Sequence, residues 1–408
     1  MTHPAVRRRW SVPMTGRDTN EANRASTPLE LLFDLTFVVA VGRVAAELAH
    51  SIAADRLGAG VLSYLMLFFA IYWAWLNFTW FASAFDTDDV GYRLLTLLQM
   101  AGVLILAASV SDAYEHGGYG GTVLGYVVMR VALVAQWLRV ARSAPHLRAT
   151  ALRYAGGVLV IQVLWVGWTL LPWHGSAQLA GFVLLVGGEM LVPWRAEQAG
   201  ETSWHPGHIA ERYGLFTLIV LGECVLAASN ALSQARAART GVASLVVLGA
   251  GGLVLLFGLW WLYYLREAGE GLAERRNQAG FRWGYGHYGI FASLAALGAG
   301  LEVAASAAAG DVAAPNWVVS YAVAVPIAGF LALLWYLNQL LPAPEAGQSQ
   351  PPELPTALAT FTAVAGVAAI AGCAAFWPVW AVVAAEGLPV ALLVANSVRR
   401  SRQPQPAG

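Results

Sequence analysis

Two carboxylates open the longest apolar run near the start of the chain. In "ELLFDLTFVVAV" (30–41), Glu30 and Asp34 stand at i and i+4 and so share a helix face. Glu30 has a structural explanation: Ser26 or Thr27 can cap a helix, Pro28 suits its first turn, and Glu30 falls where a capping box places its acid. Asp34 lies about 6 Å deeper by helical rise. A carboxylate there requires a cation, a hydrogen-bond donor or water.

A second stretch, "HPGHIAERYGLF" (205–216), gathers His208, Glu211 and Arg212 within one turn, and Glu223 follows about 18 Å further along the helix. The first three suit either an interfacial salt-bridge cluster or proton chemistry. His205 and His208 at i and i+3 make only a weak metal signal. Arg130, midway along "GYVVMRVALVAQW", is too deep to snorkel and calls for a carboxylate, which Asp34 or Glu223 could supply. Two acids sharing one buried Arg cannot both be neutralised, so one of them is expected to titrate. His287 in "YGHYG" suits proton exchange or an interhelical hydrogen bond. In "FDTDD" (85–89), Asp88 or Asp89 can cap the next helix, with Asp86 solvated; a cytoplasmic divalent-cation site is the sharper reading.

The elements that must position these groups are membrane helices. Of 408 residues, 58% are hydrophobic and only 12% charged, about half the charged fraction of a soluble domain. Apolar runs of about 20 residues recur from 30–50 to 378–397, giving about twelve spans of an all-α polytopic protein. The fifth and sixth spans, and the eleventh and twelfth, are separated only by the short breaks "PWHGS" and "WPVW". The aromatic clusters "YWAWLNFTWF" (72–81) and "LWWLYYL" (259–265) read as interfacial belts and packing. The chain has no Lys. With both termini in the cytoplasm, 19 Arg outside the spans fall on the inner side and three on the outer, the asymmetry expected of a multi-pass protein of a bacterial cell membrane.

Strings recur at drifting offsets. "ELLFDLTFVVAVG" lies over "ERYGLFTLIVLGE" at 181, "AWLNF" over "WWLYY" at 186, "YRLL" over "FRWG" at 189, and Asp112 over Glu302 at 190; "GGEMLVP" (187–193) also resembles "AAEGLP" (384–389). Duplication would leave this pattern and predicts two parallel six-helix repeats. The expected organisation is a disordered cytoplasmic tail (1–25), repeats at 26–200 and 201–397 with a Pro-rich linker at 342–355, and a second cytoplasmic tail at 398–408.

"STPLELLFDLTFVVAV", "FDTDDVGYRLLTLLQM", "HIAERYGLFTLIVLGECVLA" and "HYGIFASLAALGAGLE" together resemble the low temperature requirement protein A (LtrA) family of bacterial membrane proteins. The resemblance spans residues 26–302 and maps the family's motif positions onto Glu30, Phe33, Asp34, Asp86, Asp88, Asp89, Arg93, His208, Glu211, Arg212, Gly222, Glu223, His287 and Glu302. Where the family commonly has Ser after the Gly-Glu pair, this chain has Cys224. The resemblance implies a membrane location and a link to growth in the cold. It implies no reaction, because the family's molecular activity is unassigned.

No Walker loop, Gly-x-Ser-x-Gly or His-Glu-x-x-His occurs, which argues against the usual soluble enzymes and calls for no cofactor or resident metal. Cys224 and Cys373 fall within spans and suggest no disulfide. The partners expected are the bilayer and a proton or small substrate, not nucleic acid. The reading is a proton-linked transporter or permease with Asp34, Arg130 and Glu223 in one buried site between the halves. The alternatives are a structural or regulatory membrane protein without turnover, and an intramembrane enzyme acting on lipid through His208, Glu211 and the triple Asp. Oligomeric state is not legible.

Overall fold

A computed structural model describes residues 10–18, 21, 24–172, 175–238, 242–275, 278–341 and 354–401. Residues 1–9, 342–353 and 402–408, where most of the tails and the Pro-rich linker were expected, lie outside the described residues. Among the described residues the chain is α-helical with two short 3-10 turns and no strand. The helices are α1 (Pro28–Ala53), α2 (Leu57–Phe85), α3 (Val90–Ala108), α4 (Val110–His116), α5 (Gly120–Ser143), α6 (Arg148–Leu170) and α7 (Gly175–Glu197). They continue as α8 (Pro206–Ala238), α9 (Val242–Tyr263), α10 (Ala268–Glu274), α11 (Gln278–Ala309), α12 (Asn316–Leu340), α13 (Ala357–Gly372) and α14 (Val379–Ser401).

Helices are the form such apolar segments must take, because hydrocarbon leaves no partner for a backbone N–H or C=O outside the segment. Among the described residues, ten spans are long and apolar enough to cross a membrane. The two other long helices, α1 and α8, hold the charge clusters at Glu30, Asp34, Arg43 and Glu47 and at Glu211, Arg212 and Glu223. The two short breaks are real: α6 ends at Leu170 and α7 begins at Gly175, while α13 ends at Gly372 and α14 begins at Val379.

Local chemistry starts several helices. Thr27 and Glu30 exchange hydrogen bonds at the head of α1: the Thr27 N–H donates to Glu30 Oε2 at 2.8 Å, and the Glu30 N–H to Thr27 Oγ1 at 3.3 Å. Asp89 caps α3 by accepting from the Tyr92 N–H at 2.7 Å, and Thr356 caps α13 through the Ala359 N–H at 3.2 Å. Asp88 takes a left-handed φ of 47°, which Asp tolerates better than most residues, and forks onto Arg93 at 2.6 and 2.9 Å.

The chain forms two compact units, which are not consecutive halves. Unit 1 is residues 1–40 with 69–209; unit 2 is 41–68 with 210–408. Each of α1 and α2 therefore contributes to both.

In unit 1, Phe33 of α1 stacks on Phe78 of α2 at 3.9 Å, and Trp137 of α5 stacks on Tyr154 of α6 at 4.1 Å. Helices α3 and α5 touch backbone to backbone at Gly102 and Gly125, where a Cβ on Gly102 would lie 2.7 Å from the Gly125 carbonyl. Small residues allow this approach between membrane helices. Residues 10–18, read from the sequence as tail, are ordered along the helix ends. Met14 is fully buried, the Val12 N–H donates to Asp89 Oδ2 at 2.7 Å, and the Arg17 N–H donates to the Ala84 carbonyl at 3.0 Å.

In unit 2, α11 and α12 make a close crossing at Gly300 and Ala322, and α9 and α14 another at Gly251 and Ala384. The tip of the α1–α2 hairpin is tied in by Tyr64, whose hydroxyl donates to the Ala292 carbonyl at 2.6 Å, and by Tyr288, which donates to the Leu65 carbonyl at 2.9 Å.

Candidate functional site

The structure gathers the sequence-predicted polar residues of unit 1 in two places. The first is where α1 begins, α2 ends and α8 begins. Glu30, fully buried, faces His208, whose Nε2 lies 3.2 Å from Glu30 Oε1; His208 is equally buried. Arg24 sits 3.9 Å from the same carboxylate and donates to the carbonyls of Ser83 and, at 2.7 Å, Ala82 at the end of α2. His205 closes the cluster: its N–H donates to Ser83 Oγ at 3.0 Å, and its Nδ1 accepts from the His208 N–H at 3.1 Å. Glu30 is thus more than a capping residue, since one carboxylate serves the helix start and answers a buried His and Arg.

Asp86 was expected to be solvated; instead its side chain is 4% exposed and lies 3.8 Å from Arg17. Burial, with Glu30 nearby, pushes its carboxyl up to about 6, against the pull of Arg24 and Arg17. Burial also pushes the Arg24 guanidinium down from its ordinary value, with Glu30 opposing. Asp89 behaves in the opposite way. Burial would raise it, but the Val12 and Tyr92 N–H groups and Arg139, 2.5 Å away, together hold it below the usual carboxylate range. The three Asp therefore do not converge: Asp88 and Asp89 are each bound to an arginine, and Asp86 turns inward. Among the described residues no group of three His, Cys, Asp or Glu side chains is placed to hold a metal ion.

The second place lies deeper, around a residue that the sequence reading did not select. Glu189 of α7 accepts from Trp73 Nε1 at 2.9 Å, Tyr126 Oη at 3.1 Å and Trp165 Nε1 at 3.2 Å, and pairs with Arg130 at 3.5 Å. Arg130 also donates to Tyr126 Oη, and its guanidinium carbon lies 4.4 Å from the Tyr126 ring centroid. Arg130 is 2% exposed and Glu189 3%, although α7 otherwise buries only Pro193 and Ala196. The carboxylate beside Arg130 is thus Glu189, where the sequence reading looked to Asp34 or Glu223. The signal that could have found it was "GGEMLVP", the weakest of the repeated strings. Asp34, fully buried, accepts from Trp75 Nε1 at 2.7 Å. Two indoles of "YWAWLNFTWF" thus donate to buried carboxylates, so this cluster is more than an aromatic belt.

The remaining expected residues lie in unit 2. Arg212 is fully buried, and Glu211 lies on an exposed face of α8. Both ring nitrogens of His287 are engaged. Nδ1 lies 2.8 Å from the Trp283 carbonyl and must carry the proton there, which leaves Nε2, 3.1 Å away, to accept from Tyr263 Oη. Trp283, Tyr213, Tyr263 and Phe291 pack around the ring. Glu223 is partly buried midway along α8 and lies against Gly42 of α1, where a Cβ would collide with its carboxylate. Among the described residues it has no hydrogen bond or ion pair.

A bundle of helices apolar enough to cross a membrane many times, with ionisable groups buried inside it, defines a polytopic α-helical membrane protein. The chain belongs to the family of the bacterial low temperature requirement A protein (LtrA), whose model matches residues 25–397. It is 26% identical over 293 residues to an uncharacterized protein of Rhizobium meliloti (strain 1021), a match covering 68% of this chain and 69% of the relative. No solved structure matches it.

Proposed function

We propose that the protein is a proton-linked transporter or permease of the bacterial cell membrane, with Glu223 as the group that takes up and releases the proton. One observation carries this reading: Glu223 is a partly buried carboxylate in a long helix, seated at a notch in α1 and without a cation among the described residues. A carboxylate in that setting is a functional candidate by default, because holding it ionised costs several kcal/mol. Arg130 and Asp34 have partners of their own in unit 1, so coupling is assigned to Glu223 rather than to a site shared by all three.

Duplication as parallel repeats accompanies this reading. Its support is a common spacing: the α3–α5 crossing at Gly102 and Gly125 and the α11–α12 crossing at Gly300 and Ala322 are separated by 198 and 197 residues. The Arg asymmetry supports a cytoplasmic position for both termini. The lipid-enzyme alternative has less support, because His208 and Asp89 are already committed to Glu30 and Arg139.

The test is purified protein in sealed vesicles with a trapped pH indicator, under proton gradients of both signs. Wild type is expected to carry protons and Glu223→Gln to lose that flux while remaining folded. A folded wild type that moves no proton in either direction would overturn the reading in favour of a structural or regulatory role.

A further inference from the structure

Glu386 on α14 is the most deeply buried acid among the described residues of unit 2. It is 0% exposed to solvent or lipid, in the middle of a buried stripe that runs Val379, Val382, Val383, Glu386, Gly387, Val390 and Leu393. Oε1 accepts one hydrogen bond, from Ser320 Oγ of α12 at 2.9 Å, and Oε2 is buried with no partner. Among the described residues no cation is paired with it. Of the helices packed on α14, α9, α12 and α13 contain no Asp, Glu, Arg or His; their titratable groups are Tyr263 on α9 and Tyr321 and Tyr336 on α12. Helix α11 carries Arg282, Tyr285, His287, Tyr288 and Glu302. On α14 itself the nearest cation is Arg399, thirteen residues and about 20 Å along the axis.

An ionised carboxylate in that position would be a buried charge with one hydrogen bond and no counterion, which proteins avoid by keeping the group neutral. The acid is closed off on the side of α9. Beside it α9 and α14 meet backbone to backbone, since a Cβ on Gly251 would lie 2.5 Å from Ala384 Cα, and one on Gly387 would lie 3.1 Å from the Gly251 carbonyl.

We propose that Glu386 is an occluded proton-binding site. It holds a proton as a neutral carboxylic acid bonded to Ser320, and exchanges that proton with water only when α9 and α14 separate. The protonated acid stands independently of the transport reading; its use as a second coupling group in series with Glu223 rests on that reading.

Infrared difference spectroscopy of the full-length protein separates these possibilities. At neutral pH the wild type is expected to show the carbonyl stretch of a protonated carboxylic acid, which Glu386→Gln lacks. In Ser320→Ala the same band is expected to move to higher frequency, because the carbonyl loses its hydrogen bond; a merely structural serine would not shift it. Transfer to deuterium oxide is expected to move the wild-type band only slowly. Coincident spectra for wild type and Glu386→Gln would overturn the proposal, as would an unmoved band in Ser320→Ala should the glutamine variant fail to fold. A band that shifts within the mixing time would overturn the occlusion. Proton flux is then measured in the same vesicles. If the band is present and wild type carries no proton, the transport reading fails and the site stands. If the band is absent and flux persists in Glu386→Gln, the site fails and the transport reading stands.

Discussion

Glu189 in unit 1 and Glu386 in unit 2 make an instructive pair. Each is a buried glutamate on a late helix of its unit, each has a proline within the next turn (Pro193 and Pro389), and they lie 197 residues apart, the spacing that also relates the close helix crossings. Glu189 has an arginine, two indole N–H groups and a phenol around it; Glu386 has one serine. The cost of burying a carboxylate is met in unit 1 by an ion pair with donors on both oxygens and in unit 2 by giving up the charge. Depth in the membrane is therefore a poor guide to what an acid does. The surrounding donors decide whether it is fixed as an anion or left free to carry a proton.

The sharpest way to break the comparison is to remove the cation. Arg130→Met strands Glu189 as an uncompensated buried charge and is expected to cost about 3–5 kcal/mol, read from denaturant unfolding in detergent micelles. Adding Glu189→Gln to that variant should recover much of the loss. If Arg130→Met unfolds no more easily than Glu386→Gln, the two acids do not differ as described. Cutting the reciprocal cap at the head of α1 is expected to do less: Thr27→Ala should cost about 1 kcal/mol by the same assay.

A smaller effect, one of pH, comes from Asp86. Its folded-state carboxyl, raised from 3.8 to about 6, binds its proton more tightly than in the unfolded chain. Its contribution to stability is then full below about 3.8 and lost as pH rises through about 6. Asp86→Asn should accordingly flatten the fall in melting temperature between pH 5 and pH 7; an unchanged slope would show that Asp86 is not the titrating group. The smallest change is expected from Glu386→Gln, a neutral group replacing a neutral group of the same shape, which should alter stability by about 1 kcal/mol or less. A loss as large as that of Arg130→Met would mean that Glu386 is ionised and partnered.

Local chemistry was legible in the sequence, whereas the choice of partners was not. The apolar runs fall where the long helices are, the Thr27–Glu30 box was visible in "STPLE", and Asp89 was one of two candidate caps for α3. These depend on neighbours within a turn. Arg130 plainly called for an acid, but its position could not say which of several carboxylates lay opposite, because Glu189 is 59 residues away on a helix with hardly any other buried side chain. Glu189 and Glu386 were both present in the repeated strings, yet a single acid in an apolar run counted there as a marker of duplication. Trp73 and Trp75 were hidden for a different reason: an indole near a membrane boundary serves equally as an anchor and as a donor, and only the facing residue distinguishes the two.

The tip of the α1–α2 hairpin also has a consequence for how the protein is made. Residues 41–68 emerge early in synthesis, but they pack with unit 2, and the residues that Tyr64 and Leu65 bond lie 228 and 223 positions further on. At about 5–20 residues per second, translation leaves that hairpin without its own unit for roughly 10 to 50 seconds. Over that interval the Tyr64 hydroxyl faces either lipid or whatever insertion machinery shelters nascent helices. Growth in the cold lengthens this wait, because elongation slows as temperature falls.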